Sequence, residues 1–232
     1  MHKKILNEWK KVGINYFWGD FLDSRFYICH LISKKKSKVI LDIGCGAGVI
    51  LNSANSEFKI GVDGDMPSLR AAQNIYHNFN LIQSDVRFLP FKNEFFQDVL
   101  AVHIISQLAT ESDRKKVSDE IIRITKAGGN VIISGSNRRS KFFAPTHSNE
   151  QRLSYLHYSE SLEYFEKKFK MTTTIGYGAY SKFIMGFLKR CVYWLPEGLI
   201  DSLQIEKILY QILGSKKFLK DGRSYVMIGE KK

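Results

Sequence analysis

Cysteine is scarce in this chain. Cys29, Cys45 and Cys191 are the three in 232 residues, and no two of them form a C-x-x-C pair. That argues against a zinc site and against a disulfide framework, and it fits a reducing compartment. No apolar run is long enough to cross a bilayer, and the first residues lack the layout of a signal peptide. A cytoplasmic location is therefore expected. Internal repeats are missing, and Lys34-Lys35-Lys36 is the one conspicuous run of charge. Acidic residues are also in short supply, with 23 Asp and Glu against 35 Lys and Arg, for a net charge of +12. The imbalance is uneven. Residues 1–38 carry +6, residues 39–137 carry −2 and residues 138–232 carry +8. Basic flanks around a slightly acidic middle suit an anionic partner, whether RNA, an acidic metabolite or a phospholipid surface met peripherally. The competing reading is that the lysines only keep the chain soluble.

What the chain does have is glycine in one telling place. Val39-Ile40-Leu41-Asp42-Ile43 is an apolar, β-branched run that leads into Gly44-Cys45-Gly46-Ala47-Gly48. The run reads as a buried parallel strand, and the alternating glycines as a tight turn where backbone approaches a ligand. A dinucleotide-binding turn needs G-x-G-x-x-G, which would place Gly or Ala at position 49, where Val49 stands. Asp42 would also repel a pyrophosphate. The same acid suits a positively charged ligand, so the turn predicts a nucleoside with an amino-acid or sulfonium tail. Further strands follow at Phe58–Asp63, Asn80–Gln83, Asp98–His103 and Asn130–Ser134. A helix is expected from Glu111 to about Lys126, capped by Thr110 and closed by Gly128-Gly129. Strand and helix alternate, which implies a parallel sheet covered on both faces.

From Val39 to Ser134 the chain resembles the cofactor-binding half of class I S-adenosylmethionine-dependent methyltransferases. The resemblance rests on Asp42 to Gly48, on Asp63, on Ser84-Asp85-Val86, on Leu89-Pro90-Phe91 with Phe96-Gln97-Asp98-Val99, and on Glu120 to Gly129. It implies an α/β Rossmann-like fold: a doubly wound, seven-stranded, mainly parallel sheet with an antiparallel last strand. It also implies S-adenosylmethionine as cofactor and S-adenosylhomocysteine as product. The cofactor residues it points to are Asp42, Gly44, Cys45, Gly46, Gly48, Asp63, Gly64, Asp85, Val86 and His103. Within that set Asp42 would orient the methionine end, Asp63 the ribose diol, and Asp85 with Val86 the adenine.

The whole chain, 1–232, is expected to be one methyltransferase domain. Residues 1–38 would be an N-terminal helical lid, 39–137 the cofactor core, and 138–232 a C-terminal half with a helical insert at about 179–218. Tyr16 and Trp18 on the lid are candidates for the substrate pocket. The insert is apolar and basic together (Phe183 to Arg190, then Tyr193 to Pro196), which suits a lipid surface, a cap or a homodimer contact. Methyl transfer needs orientation more than acid–base chemistry. His103, at the end of the fourth strand, is the catalytic candidate, with His147, Tyr155 and His157 behind it. The acceptor expected first is a small or lipid-like metabolite. The alternatives are a tRNA base and, from another class, a non-catalytic partner protein that keeps the fold. No metal site is expected.

Overall fold

The computed structural model describes Glu8, Lys11 and residues 24–137, 156–177, 214–215, 219, 222 and 224–232. In chain order these form α1 (Ser24–Lys34), β1 (Ser37–Ile43), α2 (Val49–Asn52), β2 (Ser56–Asp63), α3 (Met66–Ile75), β3 (Phe79–Gln83) and β4 (Phe96–Val102). After a 3-10 turn at Ile105–Gln107 come α4 (Glu111–Ile124), β5 (Thr125–Ser136), α5 (Tyr158–Glu163), β6 (Phe169–Tyr177), β7 (Gly214–Ser215) and β8 (Ser224–Lys231). All strands join one sheet in the order β3-β2-β1-β4-β5-β8-β6-β7. The pairs from β3 to β5 are parallel, and β8 runs antiparallel to both β5 and β6.

The continuous apolar run of β1 is explained by burial on both faces. Alternate residues point to opposite sides. Leu41 and Ile43 join Val99, Ala101, Val131 and Ile133 against Val117, Ile121 and Ile124 of α4. Ile40 joins Leu100, Val102 and Val226 against Ile28 and Ile32 of α1, with Leu51, Tyr76 and Phe79. The described part of the N-terminal segment is thus a layer on the sheet. Tyr16 and Trp18 lie outside the described residues, as do His147, Tyr155 and nearly all of 179–218.

Two boundaries differ from the sequence reading. The α4 helix stops at Ile124 because Thr125 is already extended (φ −76°, ψ 132°). The glycine pair lies inside the start of β5, where Gly128 takes φ +69° beside an irregularity in the β4–β5 pairing. The Gln97 amide donates to the Gly128 carbonyl there (3.0 Å). Seven main strands are present as expected. An eighth, the two-residue β7, pairs with the outer edge of β6 within the span expected to be a helical insert.

One side chain holds the loop before β4 to the sheet's helical layer. Arg123 donates to the carbonyls of Leu89 (3.0 Å) and Phe91 (2.6 Å) and to Glu120 (2.7 and 2.8 Å). Glu120 in turn accepts the Leu89 N–H at 2.6 Å. Arg123→Ala would leave two carbonyls and a carboxylate without their donor, an expected cost of roughly 1–3 kcal/mol per stranded group. Chemical denaturation should show a lower midpoint with an unchanged slope.

Candidate functional site

The strand order reverses between β1 and β4, since β2 and β3 extend to one side and β5 to the other. Ligands of open α/β sheets gather at the carboxyl ends of strands at such a point. An open cleft of about 540 Å³ lies there. Of the residues singled out in the sequence, Gly44, Asp63, Gly64, Asp85 and Val86 line it. The structure adds Gln83, Ser84 and Ile104. Gln83 ends β3 and its amide donates to the Gly64 carbonyl (3.1 Å), tying the second and third strand ends together. Ile104 was screened by its neighbour His103, and nothing in its own type marks it.

The glycine turn is built by backbone. The N–H groups of Gly44 and Cys45 both donate to the Val62 carbonyl (2.7 and 3.0 Å), fixing the turn to the end of β2. Asp63 completes it, since one carboxylate oxygen accepts the Gly46 N–H (2.7 Å) and the other the Asp65 N–H (2.9 Å). Asp65 then caps α3 through the Ser68 N–H. Gly44 has φ +71°, and a Cβ on it would lie 2.8 Å from the Ile104 side chain. Gly48 does not line the cleft. It has φ +77°, and a Cβ there would stand 2.7 Å from the Phe79 ring, so its role is packing of α2 against β3. Cys45 is buried with its sulfur against Gly61, and burial pushes its thiol well above the usual range.

Two acids, one beside the cleft and one lining it, are in different states. Asp42 is 2% exposed, and burial first, then the charge of Asp63, push its carboxyl up to about 8. Asp85 lines the cleft but is gripped by Arg87, whose Nε lies 3.0 Å from both carboxylate oxygens and whose backbone N–H adds a bond of 2.9 Å. These hydrogen bonds hold it below the usual carboxylate range. Arg87 also reaches Asp113 on α4 (2.9 Å), so the loop after β3 is fastened to the helix.

His103 is not among the residues lining the cleft. It has a left-handed backbone (φ +59°), uncommon for a side-chain-bearing residue, and its N–H continues the ladder to the Ser134 carbonyl (3.0 Å). One ring nitrogen lies 3.2 Å from the Ser24 hydroxyl, and the other 3.4 Å from the Ser136 hydroxyl. His157 begins α5, where Glu160 accepts its backbone N–H, so it acts as a helix cap. Among the described residues no cluster of His, Cys, Asp and Glu could hold a metal. No helix among them is long and apolar enough to cross a membrane.

Residues 40–129 match the sequence profile of a methyltransferase domain. Those residues carry a methyltransferase domain, and the sheet around them has the fold of class I S-adenosylmethionine-dependent methyltransferases. Around this domain the match extends to tRNA (carboxymethyluridine(34)-5-O)-methyltransferases. The one from Arabidopsis thaliana is 34% identical over 45% of this chain and 25% of its own length. The one from Saccharomyces cerevisiae is 27% identical over 47% of this chain and 41% of its own length. The chain therefore spans between a quarter and two-fifths of these two relatives. In fold, the methyltransferase domain is similar to a possible histamine N-methyltransferase from Thermotoga maritima, with a TM-score of 0.63, 18% identity, and 99% and 97% of the two chains covered. The N-methyltransferase NodS of Bradyrhizobium japonicum, solved with S-adenosylhomocysteine, gives a TM-score of 0.62 at 9% identity, covering 90% and 86%.

The donor chemistry of the cleft fits S-adenosylmethionine, the methyl donor used by proteins of this fold. Asp63 stands at the rim of the cleft, held by backbone N–H groups, where a diol could reach it. Asp42 is a buried carboxyl close by, and among the described residues no positively charged side chain bears on it by charge or hydrogen bond.

Proposed function

We propose that this chain transfers a methyl group from S-adenosylmethionine to RNA, with tRNA as the acceptor class. The observation that carries the transfer itself is the cleft at the reversal point, with Gly44, Asp63, Asp85 and Val86 around one opening. The sulfonium supplies an activated methyl group, so the chain's own task is to hold, orient and exclude water. Asp63 would take the ribose hydroxyls on the oxygens that now brace the turn. Asp85, fixed by Arg87, and Val86 would bound the adenine. Orientation of this kind can supply roughly 7–11 kcal/mol of barrier lowering. His103, just past the end of β4, would serve as base where the acceptor is protonated.

For the acceptor, the relatives' names point to tRNA, and the charge distribution agrees. Flanks of +6 and +8 around a core of −2 are suited to a phosphate backbone. The metabolite reading rests on the apolar segment at 179–218, nearly all of which lies outside the described residues. Incubation with methyl-tritiated S-adenosylmethionine and bulk tRNA separates the two. Label is expected in acid-precipitable RNA, falling with added salt as phosphate contacts are screened. Label that appears only in small-molecule or lipid extracts from a lysate would overturn the RNA assignment and favour the metabolite.

A further inference from the structure

The two neighbouring acids Asp42 and Asp63 are not equivalent, and the difference is geometric. Both oxygens of Asp63 accept backbone N–H bonds, from Gly46 and Asp65, so this carboxyl is held by two donors. Asp42, one strand over at the end of β1, is 2% exposed and receives no hydrogen bond from a described residue. Two carboxylates packed together in a water-poor site cannot both be charged cheaply, and the one without donors is the one that takes the proton. The groups that bear on Asp42 are Asp63, on β2, and Cys45, in the turn, whose thiol stays protonated. Neither supplies a positive charge.

We propose that Asp42 is neutral in the free protein and ionises when the cationic methionine end of S-adenosylmethionine binds, so that cofactor uptake releases one proton to solvent. The inference rests on the cofactor reading above. The balance is simple: the ligand keeps its ammonium and sulfonium charges, the Asp42 O–H bond breaks, and the proton leaves to buffer. Affinity should then rise about tenfold per pH unit below the value of about 8 to which burial raises this carboxyl, and stop rising where the ligand's own α-amino group begins to lose its proton. Asp42 thereby distinguishes ligands by charge, favouring those with a cationic tail over a neutral nucleoside.

The test is titration calorimetry near pH 6.5, below the range of about 7.7–8.0 where α-amino groups titrate. Each ligand is measured in two buffers of different ionisation enthalpy. Wild type with S-adenosylmethionine should release about one proton. Wild type with 5′-methylthioadenosine, which lacks the charged tail, should release none, and Asp42→Asn should release none with either ligand. A buffer-independent enthalpy for S-adenosylmethionine on wild type would overturn the proposal while leaving the cofactor reading intact. Failure of wild type to bind S-adenosylmethionine at all would overturn both. Thermal stability of the ligand-free protein gives a second reading. A carboxyl raised on folding contributes fully below its unfolded value of about 4, and that contribution is lost as pH rises towards about 8. The wild type should therefore lose stability relative to Asp42→Asn across that window, and a pH-independent difference between the two would also overturn the proposal.

Discussion

Asp63→Ala is expected to weaken S-adenosylmethionine binding by about two orders of magnitude, or ~3 kcal/mol. Two losses combine. The carboxylate now accepts the N–H groups of Gly46 and Asp65, and hydrogen bonds to a charged group contribute roughly 1.5–3 kcal/mol each. Removing it frees the middle of the glycine turn and the start of α3 together, so the cleft loses its shape as well as an acceptor for the ribose. Asp63→Asn keeps one carbonyl oxygen and should retain part of the affinity. Calorimetry on the three proteins gives the ranking directly. Equal affinities for wild type and Asp63→Ala would place the cofactor somewhere other than this cleft.

Gly48→Ala is expected to destabilise the protein by about 3 kcal/mol without touching the cleft. The left-handed backbone at φ +77° costs an alanine roughly 1–2 kcal/mol. A Cβ placed 2.7 Å from the Phe79 ring adds the penalty of overpacking, typically about 1–3 kcal/mol. Phe79 cannot easily give way, because it is buried and stacked on Tyr76 at 4.8 Å. The comparison that isolates the packing is Gly46→Ala. Gly46 is also left-handed (φ +50°), but a Cβ there would meet nothing within 4 Å. Thermal unfolding should therefore show a much smaller loss at position 46 than at position 48. Similar losses would mean that the Phe79 contact contributes nothing.

The pair also shows where sequence and structure part company. Three alternating glycines read as one ligand-binding device, yet Gly44 faces Ile104 at the cleft and Gly48 faces Phe79 in the core. The pattern signals backbone geometry, and the neighbour that needs the missing side chain comes from 31 to 60 residues away in sequence. Strands β1, β4 and the middle of β5 were legible because apolar runs buried on both faces leave a strong mark. The end of α4 was not, since Gly128 supplies a positive φ to an irregular strand start and not to a helix exit. Asp85 was legible as a strand-end acid, but its capture by Arg87 depends on a turn that brings the guanidinium back over the carboxylate. His103 was placed correctly at the end of β4. Its serine partners come from α1 and β5, 79 positions before it and 33 after it.

The place of β8 in the sheet bears on how the protein is made. Strand β5 has β4 on one side, and among the described residues its other edge pairs with 224–230, which leave the ribosome some ninety residues later. Until then the nascent chain carries an open edge over residues 130–136, which include Val131-Ile132-Ile133. Such an edge is a template for pairing with any extended segment, including another copy of itself. Synthesis thus passes through an interval in which this edge of β5 is open, and pairing with β8 is what closes it.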